Sequence, residues 1–262
     1  LSLGTLGANS ETQFAKTGAT KKRRSTKSIT LKEKHMFKKT QLSALVAIVT
    51  LTGAATASAE ISGNVSLVSD YSFRGISQTG EKGAIQGGFD YAAESGLYVG
   101  TWASNVEFGT ESSTEMDYYI GYAGEAGGLG YDVSYIYFDY EGDAEFDYQE
   151  FALGFSYGDL SFGVNYSSEY LGDGGPDFLY PYVGYSMALT EGLSLDLHYG
   201  YSDIDAADFW GPGEDSYSDY SATLGFSAGG VDFGLAFVGT DLDDSVVAGS
   251  DDRLIFSISK SL

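Results

Sequence analysis

The 262-residue chain has no cysteine, three prolines and two histidines. Without cysteine, disulfides, thiolate nucleophiles and thiolate metal sites are excluded. No apolar run is long enough for a membrane-spanning helix: the longest, Leu42 to Leu51, is about half of the ~20 residues a span needs. Basic residues are scarce where they would matter. Of 14 Lys and Arg, ten precede Glu60, leaving Arg74, Lys82, Arg253 and Lys260 against 35 acids over 203 residues, a formal charge of −31. Phosphate binding needs a basic footprint, so nucleic acid is excluded as a partner of this region.

What precedes Glu60 has a different character. Lys38 and Lys39 after Met36, the apolar run, and Ala57-Ser58-Ala59 supply the three parts of a secretory signal. The expected layout is an over-extended, disordered gene start over 1–35, a signal peptide over 36–59 and one mature domain over 60–262. Lys21-Lys22-Arg23-Arg24 lies too far ahead of the apolar run to act as a twin-arginine signal.

The mature region is rich where a disordered acidic chain is poor. The chain carries 21 Tyr, 16 Phe and 36 Gly, more aromatic surface than a solvated coil holds. Apolar and polar residues alternate, as in Leu160, Phe162, Val164 and Tyr166 set between Ser161, Gly163, Asn165 and Ser167. That is a strand period. About twelve such segments follow one another: 61–73, 84–93, 97–108, 116–124, 129–140, 147–157, 160–170, 178–189, 193–203, 219–228, 231–240 and 252–262. Five connections between them are short and Gly-rich; the other six are longer and acidic. Long and short alternate, which predicts an all-β, up-and-down antiparallel transmembrane β-barrel of about 12 strands, with short turns at one end and long loops at the other. A Greek-key sandwich would break that alternation with a long crossover.

Each segment has an apolar face and a polar face. Twelve strands around a dry interior would leave an unfilled void, so the apolar face is expected outside, against lipid, and the polar face around the lumen. The lumen phase gives the expected pore-lining set: Asp70, Arg74, Asp90, Asp117, Asp132, Glu150, Glu169, Asp196, His198, Asp232 and Arg253. A lumen of carboxylates attracts cations. Arg74 and Arg253 fall at the ends of neighbouring strands, which predicts that they meet at the long-loop mouth and pair with Asp70 or loop carboxylates. Tyr91, Tyr98, Tyr137, Tyr157, Tyr170 and Tyr201 near strand ends suit aromatic girdles, and Lys260, in the outward phase, can snorkel to an interface. His198 shares its phase with Ser194 and Ser202, but an inward site does not suit attack on a lipid, and one histidine cannot build a protease constellation. No catalytic residue, metal ligand or cofactor is assigned. The loop stretches EGDAEFD and DLDDSVVAGSDD lack EF-hand spacing; their oxygen-rich composition makes them candidate sites for divalent cations that bridge to lipopolysaccharide.

The blocks VSDYSFRGISQT (68–79) and AIQGGFDYAAESGLYVGTWASNVEF (84–108) resemble the start of the TorF family of porin-type proteobacterial proteins. The resemblance extends through the Tyr- and Gly-rich middle to the final FSISKSL. It implies an outer-membrane barrel in a Gram-negative bacterium, with a pore, no established substrate and no agreed functional residues. The expected function is therefore a passive channel for small hydrophilic solutes, with an acidic, weakly cation-preferring lumen and no enzymatic step. Two rivals stand beside it: a structural or adhesive barrel whose lumen is blocked by the inward-phase Tyr119, Tyr148, Tyr180 and Tyr182, and a soluble secreted sandwich that binds ligand in its loops.

Overall fold

The computed structural model describes residues 59–262. The expectations for 1–35, and for all of the signal except Ala59, lie outside the described residues. The strands are β1 (Glu60–Val68), β2 (Ser72–Phe73), β3 (Ile76–Ser77), β4 (Ala84–Ala92), β5 (Leu97–Asn105), β6 (Thr114–Ala126), β7 (Leu129–Tyr140), β8 (Tyr148–Tyr157), β9 (Leu160–Ser167), β10 (Phe178–Thr190), β11 (Leu193–Ile204), β12 (Ser216–Ala228), β13 (Val231–Thr240) and β14 (Arg253–Ser261). All but β2 and β3 form one closed antiparallel barrel, so it has twelve strands. β1 closes the ring by pairing with β14 (Val68 opposite Ser257) and with β4 (Leu67 opposite Ile85). Closure leaves no unpaired strand edge. Outside the ring the described residues hold only the two-pair β2–β3 ladder, so no second layer packs against it, which overturns the sandwich reading.

Turn chemistry explains the meander. Gly127-Gly128 and Gly229-Gly230 have φ of 62° and 86°, and of 62° and 76°. Two consecutive positive φ values make the tight turn whose twist matches that of the flanking strands. β10 carries Pro181, which pairs with Val164 of β9, while the ladder to β11 skips from Leu179–Asp203 to Tyr182–Gly200. Proline has no N–H to give that ladder.

Burial follows the alternation. Leu67, Phe89, Phe151 and Phe256 lie exposed on the outer surface, whereas Ser66, Ser104, Asn165 and Ser257 are buried in the interior. Inward tyrosines fit into slots left by glycines on neighbouring strands. A Cβ at Gly100 would overlap the Tyr119 ring, one at Gly121 the Tyr98 ring, and one at Gly200 the Tyr180 hydroxyl.

Three strands end well short of their expected bounds: β5 stops at Asn105 rather than at 108, and two others bear on the site. β1 ends at Val68 rather than at 73, and β9 ends at Ser167 rather than at 170. The girdle expectation is corrected at two positions. Tyr98 is buried and points inward, its hydroxyl 2.8 Å from Asp132, and Tyr170 is buried among interior rings. Tyr91, Tyr157 and Tyr201 are exposed, and Tyr137 is half-buried. Lys260 is exposed at the short-turn end, where its ammonium donates to the Gly230 carbonyl at 3.0 Å.

Candidate functional site: a lumen closed by an inward hairpin

At the long-loop end, segment 69–83 folds into the barrel. β2 and β3 pair through Ser72–Ser77 and Phe73–Ile76, which leaves Arg74-Gly75 as a two-residue turn with φ of 48° and 82°. The tip is deeply buried: Arg74 is 4% exposed. Its guanidinium forms a two-pronged pair with Glu150 of β8, Nη1 to Oε1 at 2.8 Å and Nη2 to Oε2 at 2.7 Å. The rings of Phe73, Phe178 and Tyr180 stand over it at 4.6, 4.6 and 4.3 Å. Asn165 donates to Glu150 Oε2 at 2.9 Å, and the Tyr217 hydroxyl donates to the Arg74 carbonyl at 3.0 Å. Burial alone disfavours the Arg74 cation, but the Glu150 charge and hydrogen bonds outweigh it and hold the guanidinium above its ordinary pKa.

Arg74 and Arg253 were expected to share partners at the mouth. Arg253 does meet Asp70, Nε to Oδ2 at 2.6 Å, and its Nη1 also donates to the Gly75 and Gly249 carbonyls at 2.9 Å each. Ser77 and Thr79 complete Asp70 with hydroxyl donors at 2.6 and 2.9 Å. Arg74 takes a strand carboxylate instead of a loop one. The chain leaves β1 after Val68, so the strand phase that seemed to run through Arg74 is replaced by an inward reversal.

Around the hairpin the interior is packed rather than wet. Phe138, Tyr140, Tyr148, Tyr170, Phe178, Tyr180 and Ile204 form a buried cluster, with Phe73 of the hairpin packed against it. Tyr170 stacks on Phe178 at 4.1 Å and Phe138 on Tyr148 at 4.5 Å. A cavity of about 20 Å³, bordered by Arg74, His198 and Asp219, remains beside the hairpin, room for about one water. His198 Nε2 lies 2.8 Å from the Tyr180 hydroxyl and 3.3 Å from Asp219, and the same hydroxyl donates to Asp219 at 2.9 Å. Ser194 donates to Asp196.

Glu115 and Asp219 are site residues missing from the expected set. Glu115 shares the phase of Asp117, and only an expected strand start at 116 left it out. It is buried and accepts from the Tyr71 hydroxyl at 3.1 Å; Asp117 beside it is also buried. Burial, followed by the charges of Glu115 and Asp117, pushes the Tyr71 phenol above its ordinary pKa.

The short-turn half differs. Asp90, Asp132, Asp196 and Asp232 are only half-buried, and hydroxyls supply their hydrogen bonds. Tyr119 donates to Asp90 at 2.5 Å, Tyr98 to Asp132, Ser194 to Asp196 at 3.1 Å and Ser227 to Asp232 at 2.6 Å. Ser186 also donates to Asp196. Glu169 departs from the expected lumen set. It lies beyond the end of β9 and accepts from Gln149 at 3.4 Å, a residue of the outward phase of β8.

The acidic loops use their carboxylates as turn acceptors. Asp147 takes the Tyr140 N–H and the Tyr137 hydroxyl, and Asp243 takes the N–H and hydroxyl of Ser245, whose bonds lower its pKa. Among the described residues no group of three or more His, Cys, Asp or Glu side chains converges as a metal site would require.

Comparison with known proteins gives a family without a function. Residues 52–262 match the model of a family described as "Bacterial protein of unknown function (Gcw_chp)". No curated protein matches significantly. Among solved structures, a KdgM porin is 8% identical with a TM-score of 0.49, covering 77% of this chain and 99% of that one. A NanC porin is 9% identical with a TM-score of 0.47, covering 76% and 98%. The outer membrane protein opdK from Pseudomonas aeruginosa is 16% identical with a TM-score of 0.39, covering 69% and 58%.

Proposed function

The chain belongs to the Gcw_chp family of bacterial proteins of unknown function, and from that premise we propose that it is an outer-membrane channel for small hydrophilic solutes, closed here by its first long loop. The carrying observation is a closed twelve-stranded ring, apolar outside, with half-buried carboxylates inside its short-turn half. An outward belt of Leu, Phe, Ile and Val suits hydrocarbon, and polar lumen residues suit water. The TorF-like N-terminal block accords with this reading. So does export by the signal at 36–59 to the outer membrane of a Gram-negative cell, with lipopolysaccharide around the long loops. Transport is diffusive and involves no bond chemistry. Asp90, Asp132, Asp196 and Asp232 give the lumen a weak preference for cations.

One observation favours the second reading, a permanently blocked structural barrel: hairpin and aromatic cluster together fill the long-loop half. Planar-bilayer recording separates the two. A channel gives unitary steps, at least in a variant lacking residues 72–77, and a reversal potential of cation-selective sign in a salt gradient. Absence of steps in both forms establishes the blocked barrel, and an anion-selective sign removes the charge preference.

A further inference from the structure

We propose that the cage around Arg74 is a binding site for guanidinium-bearing solutes, in which Arg74 serves as the resident surrogate; this deepens the channel reading and rests on it. Four groups of the cage belong to the barrel wall rather than to the hairpin: Glu150, Phe178 and Tyr180, which meet the guanidinium, and Asn165, which donates to Glu150. If the hairpin withdraws, these four remain as a concave, negatively charged, aromatic-faced pocket in the lumen.

The pocket's chemistry selects its ligand. Both Glu150 oxygens are aligned with two nitrogens of one planar cation, 2.8 and 2.7 Å away. Aromatic faces stand 4.3 and 4.6 Å from the central carbon of that same cation. A guanidinium satisfies fork and stack together, whereas an ammonium is a compact, strongly hydrated point charge that satisfies neither well. A neutral polar solute leaves the Glu150 charge buried without a partner.

The hairpin is built to be displaceable. Two residue pairs make up its own ladder, and so short a ribbon is marginal by itself. Arg74 sits at φ 48°, a backbone region that non-glycine residues seldom occupy. What holds the tip is therefore its side chain in the cage, helped by the Gly75 carbonyl on Arg253 and the Arg74 carbonyl on Tyr217. A solute offering the same cation competes for the contact that holds the tip, while Arg253 still anchors the base of the segment through Asp70. In the same lumen, Asp90, Asp132, Asp196 and Asp232 raise the local concentration of cations.

The test uses the purified full chain in planar bilayers, with methylguanidinium as probe and methylammonium and urea as controls. Methylguanidinium is expected to raise the open probability of the wild type at least about tenfold more than methylammonium, with urea inert. Arg74→Ala is expected to conduct without the probe, and bound methylguanidinium then lowers its unitary current to the level of the probe-opened wild type; Arg74→Ala with Glu150→Gln loses that reduction. If Arg74→Ala conducts while the wild type ignores methylguanidinium, the binding site is wrong and the channel stands. If Arg74→Ala is silent while the variant lacking residues 72–77 conducts, the binding site is wrong and the channel stands; if neither conducts, both fall. Should Arg74→Ala fail to fold, judged by heat-modifiable gel mobility, Arg74→Lys decides: it keeps the charge but loses fork and stack, and must open at roughly tenfold lower methylguanidinium. Equal sensitivity of Arg74→Lys and wild type overturns the proposal.

Discussion

The two halves of the lumen solve one problem in opposite ways. In the long-loop half, two buried carboxylates are matched by guanidinium groups, Glu150 by Arg74 and Asp70 by Arg253, while Glu115, Asp117 and Asp219 are buried without an Arg or Lys partner among the described residues. In the short-turn half, Asp90, Asp132, Asp196 and Asp232 take hydrogen bonds from hydroxyls and stay in partial contact with solvent. The difference follows from desolvation. A carboxylate that keeps some water needs no counter-charge, while one packed among aromatic rings is costly unless a cation or a hydroxyl donor meets it, as Arg74 meets Glu150 and Tyr180 meets Asp219. The two arginines lie where the lumen is dry, and in the proposed channel reading that half is the one that gates.

The largest break in that contrast comes from Glu150→Gln. It strands a buried guanidinium, which costs about 3–5 kcal/mol, and the expected outcome is expulsion of the hairpin from an intact barrel. Limited proteolysis and amide exchange over residues 69–83 read it; unchanged protection there would mean that the pair does not hold the hairpin.

Alkali attacks the same half from another side. Burial, offset in part by the Arg74 charge, pushes the Tyr170 phenol up to about 12. Because the folded value is raised above the ordinary value near 10, the folded state keeps its proton longer than the unfolded one. The stabilisation is complete below pH ~10 and is lost as pH rises toward ~12, a loss on the order of 2 kcal/mol. Hairpin protection should fall across that window while the barrel persists. Protection that stays flat to pH ~12 would place Tyr170 in contact with water.

A matched pair of substitutions sharpens the comparison. Tyr180→Phe and Tyr119→Phe each delete one hydroxyl that donates to an aspartate. Asp219 is 3% exposed, so Tyr180→Phe should cost about 1–3 kcal/mol, the penalty for an under-satisfied buried acceptor. Asp90 can turn to water, and Tyr119→Phe should cost about 0.5 kcal/mol. Urea unfolding of both variants in the same lipid reads the gap; equal costs would dissolve the distinction between the halves.

The sequence made the barrel legible because strand parity is a local property. Leu160 through Tyr166 already alternates, and Gly-rich pairs such as Gly229-Gly230 punctuate where the chain must reverse. Parity also placed Glu150 and Asp117 inward without any knowledge of their partners. It failed where the chain leaves a strand. Asp70 and Arg74 share the phase of β1 on paper, yet β1 stops at Val68 and Arg74 reaches its lumen position by a hairpin. Glu169 fails for the same reason beyond Ser167. The Arg74–Glu150 pair spans 76 residues, and no spacing rule links residues joined only by closure of the ring. A local sign was present in SFRGIS: two short strand-like flanks around a dipeptide ending in Gly read as a tight hairpin inside a supposed loop.

The smallest expected effect on stability lies where the notion of a wet half is most exposed to refutation. Asp90→Asn combined with Asp132→Asn keeps size and leaves Tyr119 and Tyr98 with amide oxygens that still accept their hydroxyls. With no buried cation to abandon, the double variant should unfold within about 0.5 kcal/mol of the wild type. Two negative charges leave the lumen, so its reversal potential in a salt gradient should move toward zero. Conductance and stability thus separate in this half, where Glu150→Gln couples them in the other. If the double variant loses as much stability as Glu150→Gln, these carboxylates are paying a burial cost that half-exposed groups should not bear, and the division of the lumen into a dry gate and a wet vestibule fails.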